Sequence, residues 1–125
     1  MNLWEIAITA ALPLLILVFG LFTRIGLPKR VNWFIGYRTP LACKNQDTWA
    51  FAHRYWGRLM IIFGLILTIV SIVGVILIVS DIFTFDATLL LAASAIATLV
   101  AVLISIIPTE IALRKEFDKN GERRR

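Results

Sequence analysis

The fold is decided by residues 59–80, LMIIFGLILTIVSIVGVILIVS, an apolar run of 22 residues that contains no charged side chain. In a helix that rises about 1.5 Å per residue, about 20 residues cross the hydrocarbon core of a bilayer. Two further runs, Ile6 to Thr23 and Ala87 to Ile107, are also uncharged and close to this length. With 59% hydrophobic residues and a mean hydropathy of +0.84, the chain lies outside the range of soluble domains. We therefore predict an all-α integral membrane protein, a single domain over 1–125 with transmembrane helices at about 4–23, 59–80 and 87–107.

The first run is predicted to be a retained span and not a cleaved signal peptide. Its leading residues, MNLWE, include no basic side chain, and no small-residue cleavage site follows the apolar stretch. Trp4, at the edge of this run, fits the aromatic belt that marks a membrane interface.

Positive charge is distributed unevenly around the three runs. Seven of the thirteen Lys and Arg lie in the loop 24–58, and the other six lie in the tail 108–125. By contrast, the N-terminus carries Glu5, and the connection at 80–86 carries only Asp81 and Asp86. The positive-inside rule then predicts a long cytoplasmic loop between the first two spans, with the N-terminus outside and the C-terminus inside. This distribution also accounts for the net charge of +5 without a nucleic-acid partner.

Small residues form a stripe on each of the last two spans, which a short connection joins as an antiparallel hairpin. Lipid tails provide no hydrophobic drive for helix association, so close approach over small residues must stabilise it. We predict that the two stripes face each other, and such seams also permit a homo-oligomer. The stripes are Gly57, Gly64, Thr68 and Ser71 on the second span, and Ala87, Ser94, Thr98, Ala101 and Ser105 on the third.

The loop 24–58 concentrates the residues that can carry specific chemistry. It holds three of the four Trp, both Tyr, the only His and the only Cys. Asn45 is a candidate N-cap with Asp47 in the first turn, so we predict a helix that either lies along the interface or runs directly into span two. In the tail, Pro108 is predicted to kink or end span three, and a short interfacial helix is predicted to follow. Beyond Asn120 and Gly121 the chain is predicted to be disordered.

The order of residues in this loop resembles a known family. NWFIGYRTP at 32–40, followed by Asn45, Trp49, His53 and Gly57 before an apolar helix, resembles the SdpI family of small bacterial membrane proteins, whose signature is G-x-R-T-P. The resemblance implies a multi-pass protein of the bacterial cytoplasmic membrane that acts in immunity or signal transduction. The family's namesake protects its producer against a secreted killing peptide and captures a soluble repressor at the membrane. The partner- or lipid-binding residues predicted on this basis are Gly36, Tyr37, Arg38, Thr39, Pro40, Asn45, Trp49, His53 and Gly57.

Two interpretations of these residues remain open. Arg38, between Gly36 and Pro40, can donate paired hydrogen bonds to a phosphate or carboxylate, or it can cap carbonyl groups of the loop. The aromatic residues Tyr37, Trp33, Trp49 and Trp56 are predicted to anchor the loop at the interface, or to form a platform for a partner.

The sequence favours binding over catalysis. No nucleophile with a partnered base is evident from spacing, and one Cys with one His makes no zinc-type cluster, so we predict no enzyme activity, no metal and no cofactor. The leading hypothesis is an immunity or signalling protein with a peptide toxin or a cytosolic repressor as partner. The alternative is a small-molecule transporter or efflux subunit, although the spans lack the ionisable residue that usually marks an ion path.

Overall fold

Three long helices make up the computed structural model, which describes residues 2–32, 35–84 and 86–124. They are α1 (Leu3–Arg24), α2 (Gln46–Val79) and α3 (Ala87–Glu116), and each is long and apolar enough to cross a membrane. The all-α prediction with three potential spans is therefore confirmed. Trp33, one of the predicted interface anchors, lies outside the described residues.

The predicted long loop at 24–58 is wrong. Only 21 residues, 25–45, separate α1 from α2, because 46–58 form the first turns of α2. The helix begins where Asn45 Oδ1 accepts a hydrogen bond from the Thr48 N–H at 2.9 Å, while Thr48 Oγ1 accepts one from the Asn45 N–H at 3.1 Å. Of the two courses left open for this helix, it takes the one that runs directly into span two.

The helices α1 and α2 touch through glycines. A Cβ on Gly64 would lie 2.6 Å from the Leu17 backbone nitrogen, and one on Gly57 would lie 2.7 Å from the Arg24 nitrogen. From the other side, a Cβ on Gly20 would lie 2.7 Å from the Ile61 nitrogen. These distances are below any contact that a methyl group tolerates. Gly57 and Gly64 therefore face α1, and the prediction that they pack against span three is wrong.

Hydroxyl groups hold α3 against the other two helices. Ser94 Oγ donates to the Thr9 carbonyl oxygen of α1 at 3.0 Å and lies 3.3 Å from Ser71 Oγ of α2. Nearer the other end of α3, Ser105 Oγ accepts from Trp56 Nε1 at 2.8 Å. Of the predicted contact between the two stripes, the pair Ser71 and Ser94 is present, whereas Ser105 meets Trp56, which lies outside the stripe on α2.

The chain beyond α3 folds back on the bundle. The helix continues through Pro108 to Glu116, after which Phe117 pairs with Arg123 in an isolated β-bridge. The Arg124 N–H donates to the Glu116 carbonyl at 2.9 Å, and Phe117 is fully buried. The predicted disorder beyond Asn120 and Gly121 is therefore wrong for residues 122–124, because buried Phe117 and the β-bridge hold this segment.

The glycine contacts generate a stability prediction. Gly64→Ala should lower the stability of the folded bundle by about 2 kcal/mol, since the new methyl group meets backbone atoms of α1 that cannot rotate away. Gly74→Ala is the matched control, because its Cβ would meet only the flexible Leu90 side chain, at 3.0 Å. Thermal unfolding in detergent measures both variants. An equal loss of stability in Gly64→Ala and Gly74→Ala would mean that α1 and α2 are not closely packed at Gly64.

Candidate functional site

The family-like motif lies across one end of the bundle, where α1 ends, α2 begins and α3 ends. We call this the polar end. Its central residue is Tyr37, which is 4% exposed. The Tyr37 N–H donates to His53 Nε2 at 2.9 Å, and its hydroxyl donates to Glu110 Oε1 at 2.7 Å. Its ring packs on Trp56 with centroids 5.4 Å apart. Tyr37 therefore connects the loop to both α2 and α3.

Both nitrogens of His53 are occupied within the protein. Nδ1 lies 2.8 Å from the Trp49 carbonyl oxygen, and because only a protonated nitrogen can bond a carbonyl, this places the proton on Nδ1. Nε2 is then the acceptor for the Tyr37 N–H. Burial lowers the pKa of His53, which favours this neutral form. A histidine used in this way positions the loop and has no free nitrogen for a metal or for proton transfer.

Gly36 meets two requirements at once. Its φ of +117° is unfavourable for any residue with a side chain. In addition, a Cβ at this position would run into His53 Nε2 and come within 3.2 Å of the Trp49 ring. The first residue of the signature is thus explained by local structure alone.

The aromatic residues of the motif form a closed core. Trp49 has no exposed surface and Trp56 is 8% exposed. The Trp49 indole Nε1–H donates to the Pro28 carbonyl at 2.7 Å, and its ring lies against His53 with centroids 4.1 Å apart. For Tyr37, Trp49 and Trp56, the predictions of an interface anchor or a partner platform are therefore wrong, because their rings and polar atoms are used inside the protein.

The next motif residues form an outward-facing turn. The Thr39 carbonyl accepts from the Cys43 N–H at 3.1 Å, and Thr39 Oγ1 accepts from the Ala42 N–H at 3.4 Å. On either side of Thr39, Arg38 and Pro40 are exposed. The signature is consequently divided into a buried part, which holds the loop in place, and an exposed part, which faces outward. The two interpretations of Arg38 both remain predictions.

Asn45 has a second role that the sequence did not indicate. While its Oδ1 caps α2, its Nδ2 donates to the Gly121 carbonyl at 2.7 Å. Gly121 has a φ of +82°, and a Cβ there would lie 2.7 Å from Asn45 Nδ2. The folded-back tail is thus locked onto the start of α2.

Sequence reasoning also missed Glu110. Burial raises the pKa of Tyr37, and the contact with Glu110 raises it further. The phenol therefore stays protonated and donates its hydrogen bond to Glu110. The sequence did offer one signal for Glu110: it is a carboxylate about one turn after the apolar run of α3 ends at Ile107. This position lies at the same end of the bundle as the loop. The role of Pro28 could not be predicted from the sequence, because Pro28 accepts the Trp49 hydrogen bond through its backbone carbonyl, a group that every residue has.

A cleft of about 390 Å³ opens between the turn, α3 and the tail. We call it the motif cleft. Pro40, Leu41 and Lys44 form its loop wall, and Arg114 of α3 with Lys119 and Arg124 of the tail supply basic side chains on the opposite wall. Its two carboxylates have internal partners: Glu110 accepts from Tyr37, and Asp118 Oδ1 accepts from the Glu122 N–H at 3.0 Å. The motif cleft is therefore suited to an acidic or hydrogen-bonding segment.

A pair of glycine variants tests how the motif is built. Gly36→Ala should lower stability by at least about 3 kcal/mol, because backbone strain adds to the collision with His53 and Trp49. Gly26→Ala shares a positive φ, +98°, but its Cβ would meet no atom within 4 Å, so strain alone should cost about 1 to 2 kcal/mol. Thermal unfolding in detergent compares the two. A Gly36→Ala loss no larger than that of Gly26→Ala would contradict the packing described.

Comparison with known proteins agrees with the motif. The chain matches the model of the SdpI/YfhL protein family over residues 29–109. It is also 33% identical over 82 residues to the uncharacterized protein YfhL of Bacillus subtilis (strain 168), an overlap that spans 66% of this chain and 71% of that protein. No solved structure gives a significant match. The matched range includes the outward-facing turn, all of α2 and residues 87–109 of α3. On this ground the chain belongs to the SdpI/YfhL family.

Proposed function

We propose that this protein works by binding, either in immunity against a secreted antimicrobial peptide or in signalling by capture of a cytosolic regulator at the bacterial cytoplasmic membrane. Family membership supports the proposal in its general form. The observation that carries it further is the motif cleft, because Pro40, from the exposed part of the signature, lines this cleft beside a loop that the buried part holds in place.

Tyr37 holds the loop beside the motif cleft in one conformation. Its three contacts, to His53, Glu110 and Trp56, fix the backbone directly before Arg38. A loop held in its bound form loses little conformational entropy when a partner docks, so more of the contact energy remains as affinity. The same contacts leave His53 without a free nitrogen, which favours binding over turnover.

The charge of the motif cleft suggests the chemistry of a partner. Lys44, Arg114, Lys119 and Arg124 outnumber the two carboxylates of the cleft, and those carboxylates are engaged inside the protein. An acidic segment of a cytosolic regulator would meet complementary charge there, which favours rapid and selective association. No comparable feature favours the transporter alternative, since the apolar runs contain no ionisable residue.

Binding to a cytosolic partner requires the polar end to face the cytoplasm, as the positive-inside rule predicts. Cys43, which is half-buried in the turn, should react with a membrane-impermeant maleimide only after cells are opened. The control is Thr84→Cys in a Cys43→Ser background, because Thr84 is exposed in the opposite connection and should react in intact cells. Labelling of Cys43 in intact cells, with none at residue 84, would reverse the orientation.

The binding role is tested at Arg38. In a sensitive strain exposed to the killing peptide, Arg38→Ala should remove at least about 90% of the protection while the protein level in the membrane stays unchanged. Arg38→Lys should also fail if a bidentate contact matters, since an ammonium group cannot reproduce the planar fork of the guanidinium. Arg30→Ala is the matched control, an exposed arginine on the same connection that lies outside the G-x-R-T-P signature.

Survival after a graded dose of peptide measures the protection. Full protection by a well-expressed Arg38→Ala variant would refute a mechanism centred on this loop. Loss of protection in Arg30→Ala as well as in Arg38→Ala would point to general charge and not to the signature.

A further inference from the structure

A second cluster at the polar end lies apart from the motif cleft and is made mostly of arginines. A pocket of about 250 Å³ is lined by Arg24, Phe51, Arg54, Tyr55, Arg58 and Arg123. We call it the arginine pocket. Four of its six lining residues carry a guanidinium group, and the proposed function uses none of them.

The fold brings these arginines together from three parts of the chain. Arg24 lies in the last turn of α1, and the close contact of that turn with Gly57 places it beside α2. Arg54 and Arg58 are four residues apart on α2 and therefore lie on one face of the helix. The tail supplies Arg123 through the β-bridge to Phe117.

Aromatic rings support one side of the pocket. Phe51 stacks on Tyr55 with centroids 6.2 Å apart and meets Phe117 edge to face at 5.6 Å. The Arg123 guanidinium lies over the Phe117 ring, 5.0 Å from its centroid. Arg123 is thus held by packing against the same ring cluster that borders α2.

The positive charge of the pocket is largely uncompensated. Among the four arginines of the pocket, Arg123 is paired with Glu116, at 2.6 Å, within the described residues 2–32, 35–84 and 86–124. Arg24, Arg54 and Arg58 have no carboxylate within ion-pair distance in that part of the chain. Like charges held this close repel one another, and an anion bound among them would remove the repulsion.

The position of the pocket relative to the membrane indicates which anion it would bind. Arg24 directly follows the apolar run of α1, and Arg58 directly precedes the apolar run that starts at Leu59. Both therefore lie at the edge of the hydrocarbon region, where lipid phosphates are found. All four arginines are exposed, so the pocket is open to its surroundings.

We propose that the arginine pocket is a binding site for a phosphate group, supplied by the headgroup of an anionic phospholipid or by a free phosphate compound. Guanidinium groups suit this ligand because their planar fork donates paired hydrogen bonds to phosphate oxygens. A bound phosphate would hold the end of α1, the first turns of α2 and the tail together. The site is independent of the peptide or regulator partner proposed above.

The test uses the full chain purified in a zwitterionic detergent. Phosphatidylglycerol, phosphatidylcholine and inorganic phosphate are added in separate titrations, and the melting temperature and the number of lipids retained in native mass spectrometry are recorded. The wild-type protein should retain one phosphatidylglycerol and melt at a higher temperature with it, but not with phosphatidylcholine. A saturable rise with inorganic phosphate alone would identify a free phosphate compound as the source, whereas a rise with phosphatidylglycerol only would identify the lipid.

Two double variants that remove the same amount of positive charge test whether binding depends on the arginine pocket or on the total charge of the protein. Arg54→Gln with Arg58→Gln should weaken phosphate or phosphatidylglycerol binding at least about tenfold, since it removes two of the four forks. Arg30→Gln with Lys115→Gln removes two exposed charges outside the pocket and should change binding less than about twofold. Equal weakening in both double variants, or no saturable binding of either ligand by the wild type, would overturn the proposal.

Discussion

Everything at the polar end depends on the direct backbone contact between α1 and α2. Gly20, Gly57 and Gly64 remove the side chains that would otherwise separate the two helices. The contact sets the position of the α1 terminus against α2, so it also fixes where the connection at 25–45 starts. In a membrane, where lipid solvates apolar side chains as well as protein does, such close packing is one of the few forces available for helix association.

The signature of the family divides into two parts with different physical roles. Gly36 and Tyr37 are explained by packing and hydrogen bonds inside the protein, as are Asn45, Trp49, His53 and Gly57 farther along. Arg38 and Pro40 are exposed, and Pro40 lines the motif cleft. Most members of this motif therefore have structural roles, and its buried members fix the geometry of the few exposed ones.

The sequence predicted the parts of the fold that follow from one-dimensional patterns. Apolar length located the three spans, and the Asn45 cap located the start of α2. The pattern could not indicate which neighbour Gly64 faces, since a stripe defines a helix face without naming its partner. The Asn45 cap predicted a helix at 46–58 but left open whether it joins span two, and charge around Gly121 concealed the folded tail. Tertiary contacts, of Trp49 with Pro28 and of Gly121 with Asn45, determine these segments.

The continuity of α2 has a mechanical consequence. A helix of 34 residues is about 51 Å long, so about 20 Å of it extends past the hydrocarbon core. No proline interrupts it between Gln46 and Val79, and its first turns carry Trp49, His53 and Trp56. For a straight helix of this length, a tilt of about 10° about the far end corresponds to a shift of about 9 Å at the N-terminus. Any change in the tilt of α2 would therefore be carried directly to the motif residues at its N-terminal end.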